Sequence, residues 1–239
     1  MLELRGVNTF RGPAHILRDV SLSVHDRELV CLVGRNGAGK TTIIESVMGF
    51  LRLRSGQILF RGEDVSSLPV HERARRGIGY APEGCEIFPD LTVSENLMIS
   101  RWMSDTAARN PGAETDGDID ERVFAVFPEV RDLLDRRGLN LSGGQRKIVA
   151  IARAMELSPV LLLLDEAFEG LAPVVVSRFA EAVRKIRELG VSVLIAESNL
   201  MNAVRIADRL YAIDRGEVIF HGDPEQALKE EKVMKALRG

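Results

Sequence analysis

The sequence predicts an α/β fold with a mainly parallel sheet core, an antiparallel β part near the N-terminus and an inserted helical segment. Three observations carry this reading. Short apolar runs recur along the chain with helical patterns between several of them, the alternation that builds parallel sheets. Residues 17–24 alternate apolar and polar side chains, as a half-buried antiparallel strand does. From Thr92 to about Arg137 the pattern turns helical, which is simplest as an insertion inside one α/β domain.

The elements follow in chain order. After the alternating run comes a polar turn, His25-Asp26-Arg27, and then the continuous apolar run 29–33 ending at Gly34. Such a run suits a strand buried on both faces. Residues 41–48 suit a helix closed near Gly49. Strand-like runs follow at 57–60, 78–81, 160–164, 191–196, 210–213 and 217–220, with a strong helical pattern at 174–189. Within the helical insertion, the acidic stretch 110–118 with its Pro and Gly reads as a surface loop. A helix is expected over 146–157, just after Gln145. One domain over 1–239 results, with a core of 1–90 and 156–239 around a helical subdomain of 91–155.

Composition narrows the function classes. The 239 residues are 45% hydrophobic and 28% charged, which excludes a disordered or fibrous chain. A net charge of −3 argues against a general nucleic-acid or anionic-lipid binder. Cys31 and Cys85 match no metal-ligand spacing and read as free thiols, Cys85 as an accessible one without an activating base. The four histidines show no ligand spacing and are expected on the surface; Trp102 reads as core packing or a partner contact. The N-terminus lacks a secretion-signal pattern and no apolar run is long enough to span a bilayer. A soluble intracellular protein is expected, with any membrane role supplied by a partner.

Three motifs carry chemistry. Gly34-Arg-Asn-Gly-Ala-Gly-Lys40-Thr41 fits the phosphate-binding pattern, entered by a strand and left by a helix. Its glycines let backbone N–H groups face phosphate, and the helix N-terminus adds partial positive charge. Lys40 is expected on the β/γ-phosphates and the Thr41 hydroxyl on Mg²⁺. Second, the strand at 160–164 ends in Asp165-Glu166, at the sheet edge where ligands bind. Asp165 is placed to hold Mg²⁺, and Glu166 to polarise or deprotonate an attacking water. Third, Leu141-Ser142-Gly143-Gly144-Gln145 precedes an Ala-rich amphipathic helix, with Ser142 as its natural N-cap.

Taken together, these motifs make the chain resemble the nucleotide-binding subunit of an ATP-binding-cassette transporter over essentially its whole length. The resemblance implies the P-loop NTPase fold of the ABC ATPases, ATP and Mg²⁺ as cofactors, and hydrolysis coupled to solute movement. It implies ATP contacts from Asn36, Gly37, Ala38, Gly39, Lys40, Thr41 and Thr42. Ser142, Gly143, Gly144 and Gln145 would form the signature motif that reaches ATP bound by a second cassette, identical or different, in a head-to-tail dimer. Two membrane permease subunits, and indirectly an extracytoplasmic solute-binding protein, are the implied partners, at the cytoplasmic face of the membrane; no nucleic acid is implied. Tyr80-Ala-Pro-Glu83-Gly, Glu169-Gly-Leu-Ala172-Pro173 and residues 227–239 resemble the short ATPase subunits of branched-chain amino-acid uptake systems, and other stretches resemble urea-type relatives about as well. The solute stays open.

Several positions depart from the commonest pattern of that family. Glu83 stands where the lid loop usually carries Gln, and a carboxylate there can still serve Mg²⁺. Ser198 replaces a catalytic His; its hydroxyl can bond a γ-phosphate but cannot carry charge. Ala172 and Ala167 replace an inter-subunit Asp and a Pro. Arg11, with Phe10 beside it, stands where an aromatic usually stacks on adenine, and a guanidinium can stack on a purine. These changes leave open a slow or asymmetric site, and with it a nucleotide-switched binding subunit. A soluble cassette acting on DNA or ribosomes fits the single short chain poorly.

Overall fold

The computed structural model describes residues 1–103 and 119–238. The expected loop at 110–118 therefore lies outside the described residues, as does the side chain of Trp102.

Two sheets form. The first is antiparallel, in the order β2-β1-β4-β5, from β1 (Leu2–Arg11), β2 (Ala14–Val24), β4 (Leu53–Phe60) and β5 (Glu63–Asp64). The second runs β10-β9-β3-β8-β7-β6. It contains β3 (Leu29–Val33), β6 (Ile78–Ala81), β7 (Leu161–Asp165), β8 (Ser192–Glu197), β9 (Arg209–Asp214) and β10 (Glu217–Gly222). Its strands pair in parallel except β10, which is antiparallel to β9. Nine helices are present among the described residues. They are α1 (Lys40–Met48), α2 (Val70–Arg75), α3 (Val93–Met103), α4 (Glu121–Val126), α5 (Gly143–Glu156), α6 (Pro173–Glu188), α7 (Leu200–Ile206), α8 (Pro224–Ala227) and α9 (Glu231–Arg238).

The parallel sheet divides the core in two. Along β3, Leu29, Cys31 and Val33 face the side covered by α5 and α6, while Val30 and Leu32 face α1 and the antiparallel sheet. In β7, Leu162 and Leu164 take the first side, and Leu161 and Leu163 the second. Both faces are buried, so the runs read as continuous rather than alternating. Each such leucine contributes roughly 1.5–3 kcal/mol by leaving water. The register sets Val33 beside Glu197 and Asp165 beside Ala196. The C-terminal ends of β3, β7 and β8 thus meet at one edge, where α1 begins.

The structure corrects parts of the sequence reading. Strand β1 is absent from it; register shifts after Leu4, Val7 and Thr9 break the alternation that would announce a strand. Among the described residues of the expected helical stretch 92–137, those after 126 are not α-helical. After α4 it continues as two short 3₁₀ turns, Pro128–Leu133 and Gly138–Asn140. Helix α5 begins at Gly143, not after Gln145, because the Ser142 cap draws both glycines into the first turn. Cys85 is buried, not accessible. His15 is half-buried and stacked flat on Phe10, with ring centroids 4.3 Å apart, whereas the other three histidines are exposed.

One buried charge was invisible in the sequence. Arg73 on α2 is fully buried and donates to Ser46 O and Val47 O at the end of α1, and to Ser66 O and Leu68 O. A cation at a helix C-terminus meets the negative end of the dipole. Arg73 so anchors the far end of the helix whose first residue is Lys40.

Candidate active site

The phosphate loop leaves β3 at Gly34 and enters α1 at Lys40. Gly37 (φ 83°) and Gly39 (φ 113°) take left-handed backbone that side chains disfavour. Gly34 is required for another reason: a Cβ there would lie 2.5 Å from Ile213 O. Gly39 is the N-cap of α1 and supplies no side-chain hydrogen bond, so the cap leaves the first-turn N–H groups to an anion.

Lys40 is 4% exposed. Its Nζ donates to Gly34 O at 2.7 Å and Arg35 O at 3.2 Å, and lies 2.9 Å from Glu166 Oε1. Glu166 follows β7 with φ 48°, a left-handed turn that its N–H stabilises by donating to Ala196 O. The Ser198 hydroxyl lies 2.7 Å from Glu166 Oε1 and 2.9 Å from Asn36 Oδ1, and accepts from Lys40 Nζ at 3.3 Å. Its single proton serves one of the two oxygens at a time. The predicted residues Asn36, Lys40, Glu166 and Ser198 thus form one connected cluster. Glu166 Oε2 is buried with no hydrogen-bond partner.

Asp165 sits beside this cluster and accepts from Thr41 Oγ1 at 3.2 Å. Burial, aided by Glu166 and Glu83, lifts its pKa to about 6. Thr41 and Asp165, both expected on Mg²⁺, are therefore in contact. Glu83 is exposed on the segment after β6 and lines a small crevice with Asp165, Lys147 and Cys85. That segment is tightly held. Buried Asn96 accepts from Phe88 N and donates to Phe88 O and Thr92 O, and Arg153 donates to Glu86 O. Phe88 itself is 46% exposed, whereas Ile87 packs on the core.

The remaining predicted residues stand apart from the cluster. Ser142 and Gln145 form a reciprocal capping box at the head of α5, and Ser142 and Gly143 are exposed. The same helix touches the cluster through Lys147, whose Nζ donates to Glu166 O at 2.6 Å. Arg11, at the end of β1, pairs with Glu45 and reaches Thr42 Oγ1 at 3.4 Å, so its guanidinium is already engaged. Ala38 and Thr42 are buried in or behind the loop.

Sequence reasoning missed Glu197. This last residue of β8 is 2% exposed, accepts from Asn199 N at 2.8 Å through Oε1, and leaves Oε2 unpartnered. Burial and neighbouring Glu166 lift its pKa to about 7. An acid closing the apolar run 193–196 was the available signal.

The chain is similar to known proteins over most of its length. The family model described as ABC transporter matches residues 17–169. The lipopolysaccharide export system ATP-binding protein of Haemophilus influenzae is 39% identical over 94% of this chain and 91% of its own. The high-affinity branched-chain amino acid transport ATP-binding protein of Pseudomonas aeruginosa is 35% identical over the full length of both. Among solved structures, an ATP-binding cassette of an ABC transporter in its ADP conformation superposes with a TM-score of 0.84 at 26% identity, over 100% of this chain and 98% of its own.

Proposed function

Because the chain belongs to the ABC transporter family and is an ATP-hydrolysing subunit of a transporter, we propose that Lys40, Thr41, Glu83, Asp165, Glu166 and Ser198 form its catalytic site. We further propose that it powers uptake of branched-chain amino acids or related small polar solutes.

The observation that carries the catalytic reading is the buried Lys40–Glu166–Ser198 cluster at the edge where β3, β7 and β8 end. The residues fit ATP and Mg²⁺. Donors at the start of α1 have no side-chain cap, Lys40 is a buried cation at the loop, and Glu166 keeps an unpartnered oxygen. Thr41, Asp165 and Glu83 supply hydroxyl and carboxylate oxygens, the hard donors Mg²⁺ prefers alongside phosphate. When bound, Mg²⁺ neutralises charge on the phosphates. Within the chain, the loop N–H groups and Lys40 hold the phosphates, Glu166 takes the proton of the attacking water, and Ser198 aligns Glu166. Replacing Glu166 with Gln tests this: turnover falls on the order of 10²-fold or more while nucleotide binding persists. Wild-type turnover in that variant overturns it.

ABC ATPases work as dimers with membrane permeases. Exposed Ser142 and Gly143 suit a signature face offered to a second cassette, and exposed Phe88 over buried Asn96 suits a permease helix seated in a groove. Among the described residues no helix is long and apolar enough to cross a membrane, which suits peripheral attachment through such a partner. For the cargo, the full-length match to the branched-chain amino-acid protein, through α8 and α9, supports uptake. A second reading, lipopolysaccharide export, has the higher identity behind it, 39% over 94% of the chain. Copurification of the tagged chain from its native membrane separates them. Uptake predicts two permeases and turnover stimulated by a leucine-loaded binding protein; stimulation by lipopolysaccharide instead would establish export.

A further inference from the structure

Glu166 holds a backbone conformation that its surroundings must enforce. Its φ of 48° lies in the left-handed region, which is unfavourable for a residue with a Cβ and persists only where neighbouring contacts fix it. Two ties come from outside its own turn. Its N–H donates to Ala196 O of β8 at 3.0 Å, and its carbonyl oxygen accepts from Lys147 Nζ of α5 at 2.6 Å. A third tie is local and longer: Glu169 N donates to the same carbonyl at 3.2 Å. The Lys147 bond is the shortest of the three and is charge-assisted, the stronger class. Helix α5 gives it a firm base, because Ile148, Val149, Ile151 and Ala152 are buried in the core and the Ser142–Gln145 box fixes the first turn.

We propose that Lys147 is a positioning residue for hydrolysis: from α5 it holds the turn that aims the Glu166 carboxylate. The inference rests on Glu166 being the base. Lys147 meets the Glu166 backbone and not its carboxylate, so it acts through Glu166 rather than on the attacking water. What it sets is direction. With the carbonyl fixed, the side chain leaves the turn toward Lys40 Nζ at 2.9 Å and Ser198 Oγ at 2.7 Å. Without the Lys147 tie, the left-handed turn can relax toward ordinary backbone, and the carboxylate swings with it. A misplacement of about 1 Å at a reacting group can cost on the order of 10²-fold in rate.

The tie joins two parts of the site that are otherwise separate. Exposed Ser142 and Gly143 head the same helix, about one turn and a half before Lys147. The aim of the base therefore depends on the seating of the helix whose head the proposed dimer presents to a second cassette. Lys147 also borders the crevice of Glu83 and Asp165. Loss of nucleotide affinity would point to that crevice, and loss of turnover alone to Glu166.

The test is a double-mutant cycle with a conservative control. Lys147→Met keeps the helix propensity and much of the chain length but has no donor. It is expected to lower kcat at least about tenfold while affinity for a non-hydrolysable ATP analogue stays within about twofold of wild type. Lys147→Arg keeps a cationic donor and is expected to hold kcat within about threefold of wild type. In a Glu166→Gln background, Lys147→Met is expected to lower the residual rate by no more than about twofold, since the group that it aims is already gone. A lysine that merely stabilised the fold would add its full loss there and weaken analogue binding as well. That additive result, a matching loss of affinity, or equal slowness in Lys147→Arg and Lys147→Met overturns the inference. Wild-type kcat in Lys147→Met with a slow Glu166→Gln overturns the positioning role but leaves Glu166 as base; wild-type turnover in Glu166→Gln overturns the base itself.

Discussion

Replacing Glu166 with Gln should make nucleotide bind more tightly and leave the chain less stable when no nucleotide is added. Lys40 Nζ lies 2.9 Å from Glu166 Oε1, and both side chains are about 5% exposed or less. At an effective dielectric of about 20, two unit charges at that separation attract by about 6 kcal/mol before desolvation is counted. To reach phosphate, Lys40 must leave this partner and strand a buried carboxylate whose Oε2 has no hydrogen bond. The amide of Glu166→Gln would keep a neutral hydrogen bond to Lys40 and Ser198, and releasing it leaves no charge behind. The variant should therefore bind a non-hydrolysable ATP analogue about tenfold more tightly, roughly 1.4 kcal/mol. Without nucleotide it loses the ion pair and keeps the hydrogen bond, a loss of about 1–3 kcal/mol. At about 2–4 °C per kcal/mol for a chain of this size, Tm should fall by several degrees. Saturating analogue should close that gap, because ligand binding to the folded state adds to its stability. Calorimetric titration and thermal melts on the same preparations measure both. Equal or weaker affinity together with an unchanged Tm would refute the idea that Glu166 restrains Lys40.

Three further outcomes are expected. Lys40→Ala removes the cation at the loop and should weaken analogue binding at least about tenfold, read by the same titration; unchanged affinity would remove the loop from the site. Phe88→Ser should melt near wild type, because the ring is 46% exposed and Ile87 rather than Phe88 packs on the core, yet fail to copurify with the permease; a large loss of Tm with the complex retained would sink the docking role. Glu156, buried at the end of α5, accepts from Asp120 N, and burial lifts its pKa to about 7. A raised carboxyl contributes stability below the unfolded pKa near 4.5 and loses it as pH rises through about 7. Glu156→Gln should therefore raise Tm at pH 8, by up to about 3 kcal/mol of stability, and change little at pH 5.

The parallel core was legible because burial on both faces leaves little room for polar residues, as in β3 and the four leucines of β7 that precede Asp165. The phosphate loop was legible because its chemistry fixes both residue type and spacing. Ser142 was legible as a cap, although the helix it caps starts at once rather than after Gln145. What stayed hidden depends on contacts distant in sequence. Arg73 looks like one more surface charge of a basic stretch until α2 folds over the end of α1. Cys85 sits in a polar, turn-rich segment that reads as exposed, yet the lid folds inward onto α5. Arg11 promised a free guanidinium; Glu45, one turn into α1, takes it.

Ser198 shows why a residue's role can be misjudged from the family pattern alone. Compared with a charged His, it looks like a loss, since a hydroxyl carries no charge. In the folded chain the neighbouring cation is already present: Lys40 Nζ lies 3.3 Å from Ser198 Oγ and 2.9 Å from Glu166. A second positive charge there would compete with Lys40 for Glu166 and repel it. A hydroxyl does neither, because it accepts from the ammonium through a lone pair while its own proton points at Glu166 Oε1 or Asn36 Oδ1. Ser198 thus bridges cation, base and loop. In the proposed mechanism, when Lys40 turns to phosphate the same hydroxyl would keep its bond to Glu166 and hold the carboxylate in line. With Ser198 in that place, Lys40 is the cation that meets the Glu166 carboxylate, while Lys147 donates to the Glu166 backbone oxygen. The affinity change in Glu166→Gln and the loss in Lys40→Ala therefore read the same interaction from its two ends.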